Sequence, residues 1–184
     1  MTDSEAELQN AIVPPLPRDK DIGIGCVGAG FIMADCHLVA YRRNGLNPVA
    51  ITSRTRDRSD EVAVRHDIPQ VCESVEEVVQ QENVRILDVA VPPDCQADII
   101  RRALGERHHL SGILAQKPLG RSYAEASDIV AMCRDAGVTL AVNQNMRFDQ
   151  SVRACDYLLK NRVLGQPVLA TIDMRAIPHW MPWQ

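Results

Sequence analysis

Gly28-Ala29-Gly30, Ser53-Arg54-Thr55-Arg56 and Lys117 are the residues whose types and surroundings could do chemistry. The glycine group follows a short apolar run, Ile22, Ile24, Cys26 and Val27, and precedes a helix-like segment from Phe31 to Arg43. A strand, a glycine turn and a helix start make an anion site. The first glycine allows the tight turn, and the second lets the backbone approach a pyrophosphate seated on the N–H groups of the helix start. We expect a dinucleotide to sit over Gly28, Ala29, Gly30, Phe31 and Ile32. The other reading is a turn that is merely Gly-rich, and the rest of the chain has to decide. A literal G-x-G-x-x-G also occurs at Gly23, Gly25 and Gly28, but that frame lies inside the strand. The frame with the right context is Gly28 to Met33, with Met33 at the third glycine position, which normally serves helix–strand packing.

The elements that must position these groups alternate. Asn44-Gly45 is a helix stop, and Pro48 to Thr52 reads as the second strand. Ser53 to Asp60 leads into a helix through Val62 and His66, and Ile68 to Val71 forms a short extended piece. Ser74 with Glu77 and Ser122 with Glu125 have the spacing of capping boxes. Ile86 to Val91 is a strand closed by Pro92-Pro93, and Ile113 to Ala115 is another, closed by Gln116-Lys117-Pro118. A helix through Ala126, Ile129, Val130 and Cys133 ends at Gly137, and Val138 to Val142 is the next strand. A further helix runs through Val152 to Leu159, with Asp149 as its cap. Strands alternating with helices predict an α/β fold, a doubly wound, mostly parallel sheet. Pro167 to Ala176 alternates as a strand that begins a second α/β domain. The domains are read as an N-terminal arm over 1–20, a dinucleotide-binding domain over 21–148, and a linking helix and first strand over 149–184.

Composition narrows the classes. The chain has 184 residues, 46% of them apolar and few aromatic, which suits strands covered on both faces by helices built of Ala, Val, Ile and Leu. A formal charge of −4 argues against a general nucleic-acid binder. No apolar stretch reaches membrane-spanning length and the acidic N-terminus lacks the pattern of a signal peptide, so a cytoplasmic location is expected. The six cysteines are scattered one to an element without C-x-x-C, and are read as buried reduced thiols. Neither His nor Cys spacing forms a metal site.

The glycine turn, the Pro92-Pro93 and Lys117-Pro118 strand ends and the Asn145-Met146-Arg147-Phe148 segment occur in one order. Together they resemble the glucose–fructose oxidoreductase, inositol dehydrogenase and MocA (Gfo/Idh/MocA) family of NAD(P)-dependent oxidoreductases, from about Ile22 to Arg175; His37 also fits the family pattern. The resemblance implies a Rossmann domain followed by a C-terminal domain that supplies much of the substrate pocket and commonly the oligomer interface, so that the parent protein is a homo-oligomer. It implies hydride transfer between the nicotinamide and a sugar, cyclitol or related alcohol. It assigns Pro92 and Pro93 to the cofactor groove and Lys117 to the catalytic position beside nicotinamide and substrate; Gln116, Asn145 and Arg147 are expected at the cofactor site, with Arg147 either orienting substrate or bracing the loop.

Physical reasoning supports the lysine position. Ligands of open α/β sheets gather beyond the carboxyl ends of the strands, where Lys117, Pro92 and Asn145 converge. A cation there stabilises alkoxide charge and can shuttle the proton. The alternative is an ordinary surface lysine. Gln116 stands where the family has glutamate, and Gln96 where a His often follows the Pro-Pro turn. Asn143 and Gln144 also replace commoner residues. Cofactor choice turns on Ser53 and Arg54. An NAD site places Asp or Glu here, whereas a 2′-phosphate wants a small hydroxyl residue and an Arg. Ser53 to Arg56 fits NADP, with NAD as the alternative; a solvated helix entrance is the bland reading. The competing functional class is a dinucleotide-binding module without turnover. A methyltransferase shares only the glycine turn.

Overall fold

The computed structural model describes residues 3–173, and their contacts divide into a larger unit, Pro15–Asn145, and a smaller one made of the residues before and after it. The larger unit is a parallel six-stranded sheet in the order β3-β2-β1-β4-β5-β6. Its strands are β1 (Gly23–Val27), β2 (Asn47–Thr52), β3 (Gln70–Val71), β4 (Val84–Val89), β5 (Gly112–Gln116) and β6 (Thr139–Asn143). β1 is buried along its whole length and pairs with both β2 and β4. It thus sits at the point where the strand order reverses, the position at which such sheets bind ligands.

Helices cover both faces. Helix α2 (Leu38–Asn44), with the turns preceding it, and α3 (Arg56–Arg65) pack Met33, Leu38, Val62 and Ala63 against Ile24, Cys26 and Ile51. On the other face lie α4 (Val75–Gln80), α5 (Pro93–Gly105) and α6 (Tyr123–Asp135), with Val78, Val79, Ile100 and Ile129 against Leu87 and Ile113. Ser74 and Ser122 each accept a hydrogen bond from the backbone N–H three residues on, as their spacing predicts. Glu77 and Glu125 reach back one residue further than the standard box, to Glu73 N–H and Arg121 N–H.

Several expectations need correction. The segment read as one helix from Phe31 opens as π-helix over Ile32–His37, with Leu38 N–H bonding Met33 O five residues back. Apolar spacing alone does not reveal such a widened turn. Val130 is half exposed instead of facing the core. All six cysteines are free, but only Cys26, Cys72 and Cys133 are buried; Cys36 and Cys155 are exposed.

The smaller unit holds α1 (Asp3–Ile12) and α7 (Gln150–Lys160). Half of the stretch read as an arm over 1–20 is therefore helical, and Pro14 to Pro17 have no regular secondary structure. Ala6, Glu7, Leu8 and Gln9 are good helix formers and outweigh the local polarity. Arg153 donates to Ala11 O at 2.9 Å and Tyr157 to Glu7 at 2.8 Å, tying α1 to α7. Asp149 caps α7 by accepting from Ser151 N–H. Residues 167–173 form no strand, and Val168, Leu169 and Ile172 are exposed. Alternation makes a strand only where a neighbour supplies the ladder, and none among the described residues does. Residues 174–176 of that expected strand, like His179, Trp180 and Trp183, lie outside the described residues.

Candidate functional site

The register aligns the strand ends. Val27 lies beside Thr52 on one side and Val89 on the other, so the loops opening at Gly28, Ser53 and Ala90 are neighbours. Backbone bonds from Gly28 N–H to Thr52 O and from Ala90 N–H to Val27 O lock them together. Gly28 has φ +104, and a Cβ there would stand 2.4 Å from Ala90 O, so glycine is required twice over. A Cβ on Gly30 would meet nothing within 4 Å, which leaves its backbone open to an incoming group. By contrast, Gly25 brings α4 onto the sheet, since a Cβ there would lie 2.5 Å from Val78 Cγ1. The literal motif frame is packing, as the strand context indicates.

These loops enclose a cleft of about 710 Å³, within the usual range for ligand sites, roughly 300–1,000 Å³. Gly28, Ala29, Gly30, Ser53, Arg54 and Pro92 all line it. So do Arg58, Cys95 and Arg102, which sequence reasoning did not select. Arg58 lies in the first turn of α3, just past the Ser53-Arg54-Thr55-Arg56 segment, and that nearness in sequence was the available signal. Among the described residues neither Arg54 nor Arg58 has an ion-pair partner, whereas Arg56 pairs with Asp60 and Glu73. Ser53 Oγ donates to Thr55 O and accepts from buried Ser59 Oγ. Arg102 is held by two bonds to Glu76, at 2.6 and 2.9 Å, and this guanidinium pulls the Glu76 carboxyl down to about 2. Partial burial, followed by the Asp94 charge, pushes the Cys95 thiol up.

A buried polar cluster lies along the same sheet. His37 Nδ1–H donates to Asp88 Oδ2 at 2.6 Å, and Tyr41 O–H donates to the same oxygen at 2.7 Å. On the other side of the ring the amide groups of Asn143 and Gln116 donate to Nε2 at 2.8 and 3.1 Å. The ring therefore sits as the Nδ1–H tautomer. Asp88 is fully buried, and its Oδ1 has no hydrogen-bond partner among the described residues. Burial first and the Asp88 charge second push the Cys26 thiol and the Tyr41 hydroxyl above their ordinary values. Asp88 and Tyr41 escaped the sequence reading. A lone acid in the apolar run from Ile86 to Ala90 was the signal for the first.

Gln116 ends β5 beside Asn143 of β6, and exposed Lys117 follows, joined to Pro118 by a cis bond. Fully buried Gln96 of α5 accepts from Gln116 N–H and donates to Pro118 O, both at 2.8 Å. Lys117 and Asn145 thus lie at the carboxyl rim, one and two strands along from Pro92, without lining the cleft. Phe31 and Ile32 open the helix behind the glycine turn, and Pro93 opens α5. Arg147 belongs to the smaller unit, in the short helical turn Asn145–Phe148. Among the described residues no group of His, Cys, Asp and Glu is placed to hold a metal, and no helix is long and apolar enough to cross a membrane.

Residues 22–144 match an oxidoreductase family with an NAD-binding Rossmann fold, Gfo/Idh/MocA. The chain belongs to that family. Among curated Gfo/Idh/MocA-like relatives it is 26% identical to a 1,5-anhydro-D-fructose reductase of Ensifer adhaerens, over 87% of this chain and 48% of that protein. It is 30% identical to a trans-1,2-dihydrobenzene-1,2-diol dehydrogenase of Sus scrofa, over 77% of this chain and 42% of that one. The chain thus spans about half the length of the curated relatives it matches. A solved 3-ketoreductase of Actinomadura kijaniata, in complex with TDP-benzene and NADP, is 26% identical over 77% of this chain and 44% of that chain, with TM-score 0.66. An oxidoreductase of Agrobacterium radiobacter in complex with NAD+, L-tartaric acid and magnesium shares the fold with TM-score 0.72 at 21% identity, over 80% of this chain and 42% of that one.

Proposed function

We propose that this chain is the cofactor-binding part of an oxidoreductase that uses NADP(H) and acts on a sugar, cyclitol or related alcohol or carbonyl. The observation that carries it is a cleft with an open glycine turn at one wall and, beside Ser53 at another, two cations, Arg54 and Arg58, that have no ion-pair partner among the described residues. The residues present fit the dinucleotide. The backbone of Gly28 to Ile32 would hold the diphosphate at the helix start. Ser53, Arg54 and Arg58 would hold a 2′-phosphate, which asks for a small hydroxyl residue and guanidinium groups. Neither relies on a carboxylate, the group an NAD ribose would prefer.

The nicotinamide supplies the hydride acceptor or donor when bound. Lys117 does the proton work: its amine Nζ takes the hydroxyl proton in oxidation, and its ammonium returns that proton to the carbonyl oxygen in reduction. The same charge stabilises alkoxide character at that oxygen. The amide of Gln116, turned to His37 instead of offering Lys117 a carboxylate, favours a second reading in which the chain binds cofactor without turnover.

Dissociation constants for NADP and NAD, measured with Arg54→Ser and Arg58→Ser, test the proposal. A charged hydrogen bond contributes about 1.5–3 kcal/mol, so each variant is expected to weaken NADP by about tenfold or more. NAD should change less than about twofold. Tighter binding of NAD than of NADP by the wild-type chain overturns the cofactor assignment. NADP-linked oxidation across a polyol panel, abolished by Lys117→Ala, supports the enzyme; tight NADP binding with no turnover supports the second reading.

A further inference from the structure

We infer that Gln96 is the positioning residue for Lys117, an inference that rests on the role proposed for that lysine. Gln96 is fully buried on α5, the helix whose start also walls the cofactor cleft. A buried amide is costly unless both its groups are matched. Here both are matched, and by the same short turn. Its Oε1 accepts from Gln116 N–H and its Nε2 donates to Pro118 O, each at 2.8 Å. The two bonded backbone groups stand immediately before and immediately after Lys117. β5 ends at Gln116, so beyond that residue there is no ladder to fix the chain. The Gln96 amide takes the place of the missing ladder neighbour and sets the direction in which the exposed Lys117 side chain leaves the rim. Because α5 begins at Pro92-Pro93, one rigid element carries both the cleft wall and this clamp.

The chemistry restricts what can replace it. Leucine has the size but neither polar group, and leaves Gln116 N–H and Pro118 O without the partners that Gln96 supplies. Glutamate keeps the acceptor and loses the donor. A neutral imidazole carries one N–H and one lone pair, and can serve both backbone groups.

The test compares Gln96→Leu, Gln96→Glu and Gln96→His in the full chain. Nitrogen-15 NMR reads hydrogen exchange at the Gln116 amide and the chemical shifts of Lys117. Titrations read binding of NADPH and of 2′,5′-ADP, which lacks the nicotinamide half. We expect Gln96→Leu to speed Gln116 exchange by tenfold or more and to shift Lys117. NADPH should weaken five- to tenfold while 2′,5′-ADP stays within twofold, and Gln96→His should recover most of the loss. Gln96→Glu, which retains one bond, carries the comparison if the leucine variant fails to fold. Unchanged Gln116 exchange and Lys117 shifts overturn the inference, as does an equal loss for both nucleotides, which marks general destabilisation. If the wild-type chain binds neither nucleotide, the proposed function falls, while the exchange and shift data still decide whether Gln96 holds the turn.

Discussion

Asp88→Ala removes the one oxygen on which His37 and Tyr41 both converge. In the wild-type chain two donors, at 2.6 and 2.7 Å, are satisfied by a carboxylate that is itself fully buried. Leaving a buried donor unsatisfied costs about 1–3 kcal/mol, so two would cost roughly 2–6. Part of this is recovered, because the substitution also removes Asp88 Oδ1, which has no hydrogen-bond partner among the described residues. His37 can recover more by moving its proton to Nε2 while the amides of Gln116 and Asn143 rotate their oxygens inward. The expected net loss is about 2–4 kcal/mol, a large share of the ~5–15 kcal/mol that holds a domain together. Urea unfolding followed at the β4 and β5 amides by NMR reads the larger unit alone. Imidazole nitrogen-15 shifts should report the change of tautomer at His37. Tyr41→Phe alone should cost about 1 kcal/mol, and the double variant should cost less than the sum, because no hydroxyl is then stranded. A loss under about 0.5 kcal/mol for Asp88→Ala, or strict additivity with Tyr41→Phe, would refute the view that one buried acceptor organises this cluster.

Two further predictions concern the glycine turn and alkaline pH. Gly30→Ala adds a methyl where nothing stands within 4 Å, so stability should change by less than about 0.5 kcal/mol while NADP affinity falls. Gly28→Ala, with φ +104 and Ala90 O at 2.4 Å, should cost more than about 2 kcal/mol in the same urea assay. Equal effects of the two on stability would contradict the geometry. Burial and Asp88 raise both the Cys26 thiol and the Tyr41 hydroxyl, so the folded chain holds protons that the unfolded chain releases near 9.0 and 10.0 respectively. Their contribution is complete below those values and is lost as pH rises beyond them, at up to about 1.4 kcal/mol per pH unit for each group. Tyr41→Phe should therefore flatten the decline in urea midpoint above about pH 10; an unchanged slope counts against the raised hydroxyl.

Local chemistry was legible in the sequence and distant chemistry was not. The frame starting at Gly28 could be chosen over the one starting at Gly23 because only the former stands between a strand run and a helix. The capping serines at 74 and 122 act on backbone three residues away, which spacing can reveal. His37, in contrast, meets Asp88 51 positions on, Gln116 79 on and Asn143 106 on. No local pattern encodes such a meeting; the sheet order creates it. The run after Pro167 failed for the complementary reason. Its alternation is a property of the segment, but a strand is a property of a pair.

The same division runs through the candidate site. Its proposed diphosphate half is backbone, a glycine turn legible from the strand and helix that flank it in sequence. Its Lys117 half is held by side chains from α5 and from the turns before α2, which reach the ends of β5 and β6 across the fold. Substitutions at the first half should therefore act on nucleotide affinity through one local conformation. Substitutions at the second should change the placement of Lys117 while the diphosphate grip survives. A protein could keep the first half and lose the second, which is how a dinucleotide-binding module without turnover would arise from an enzyme.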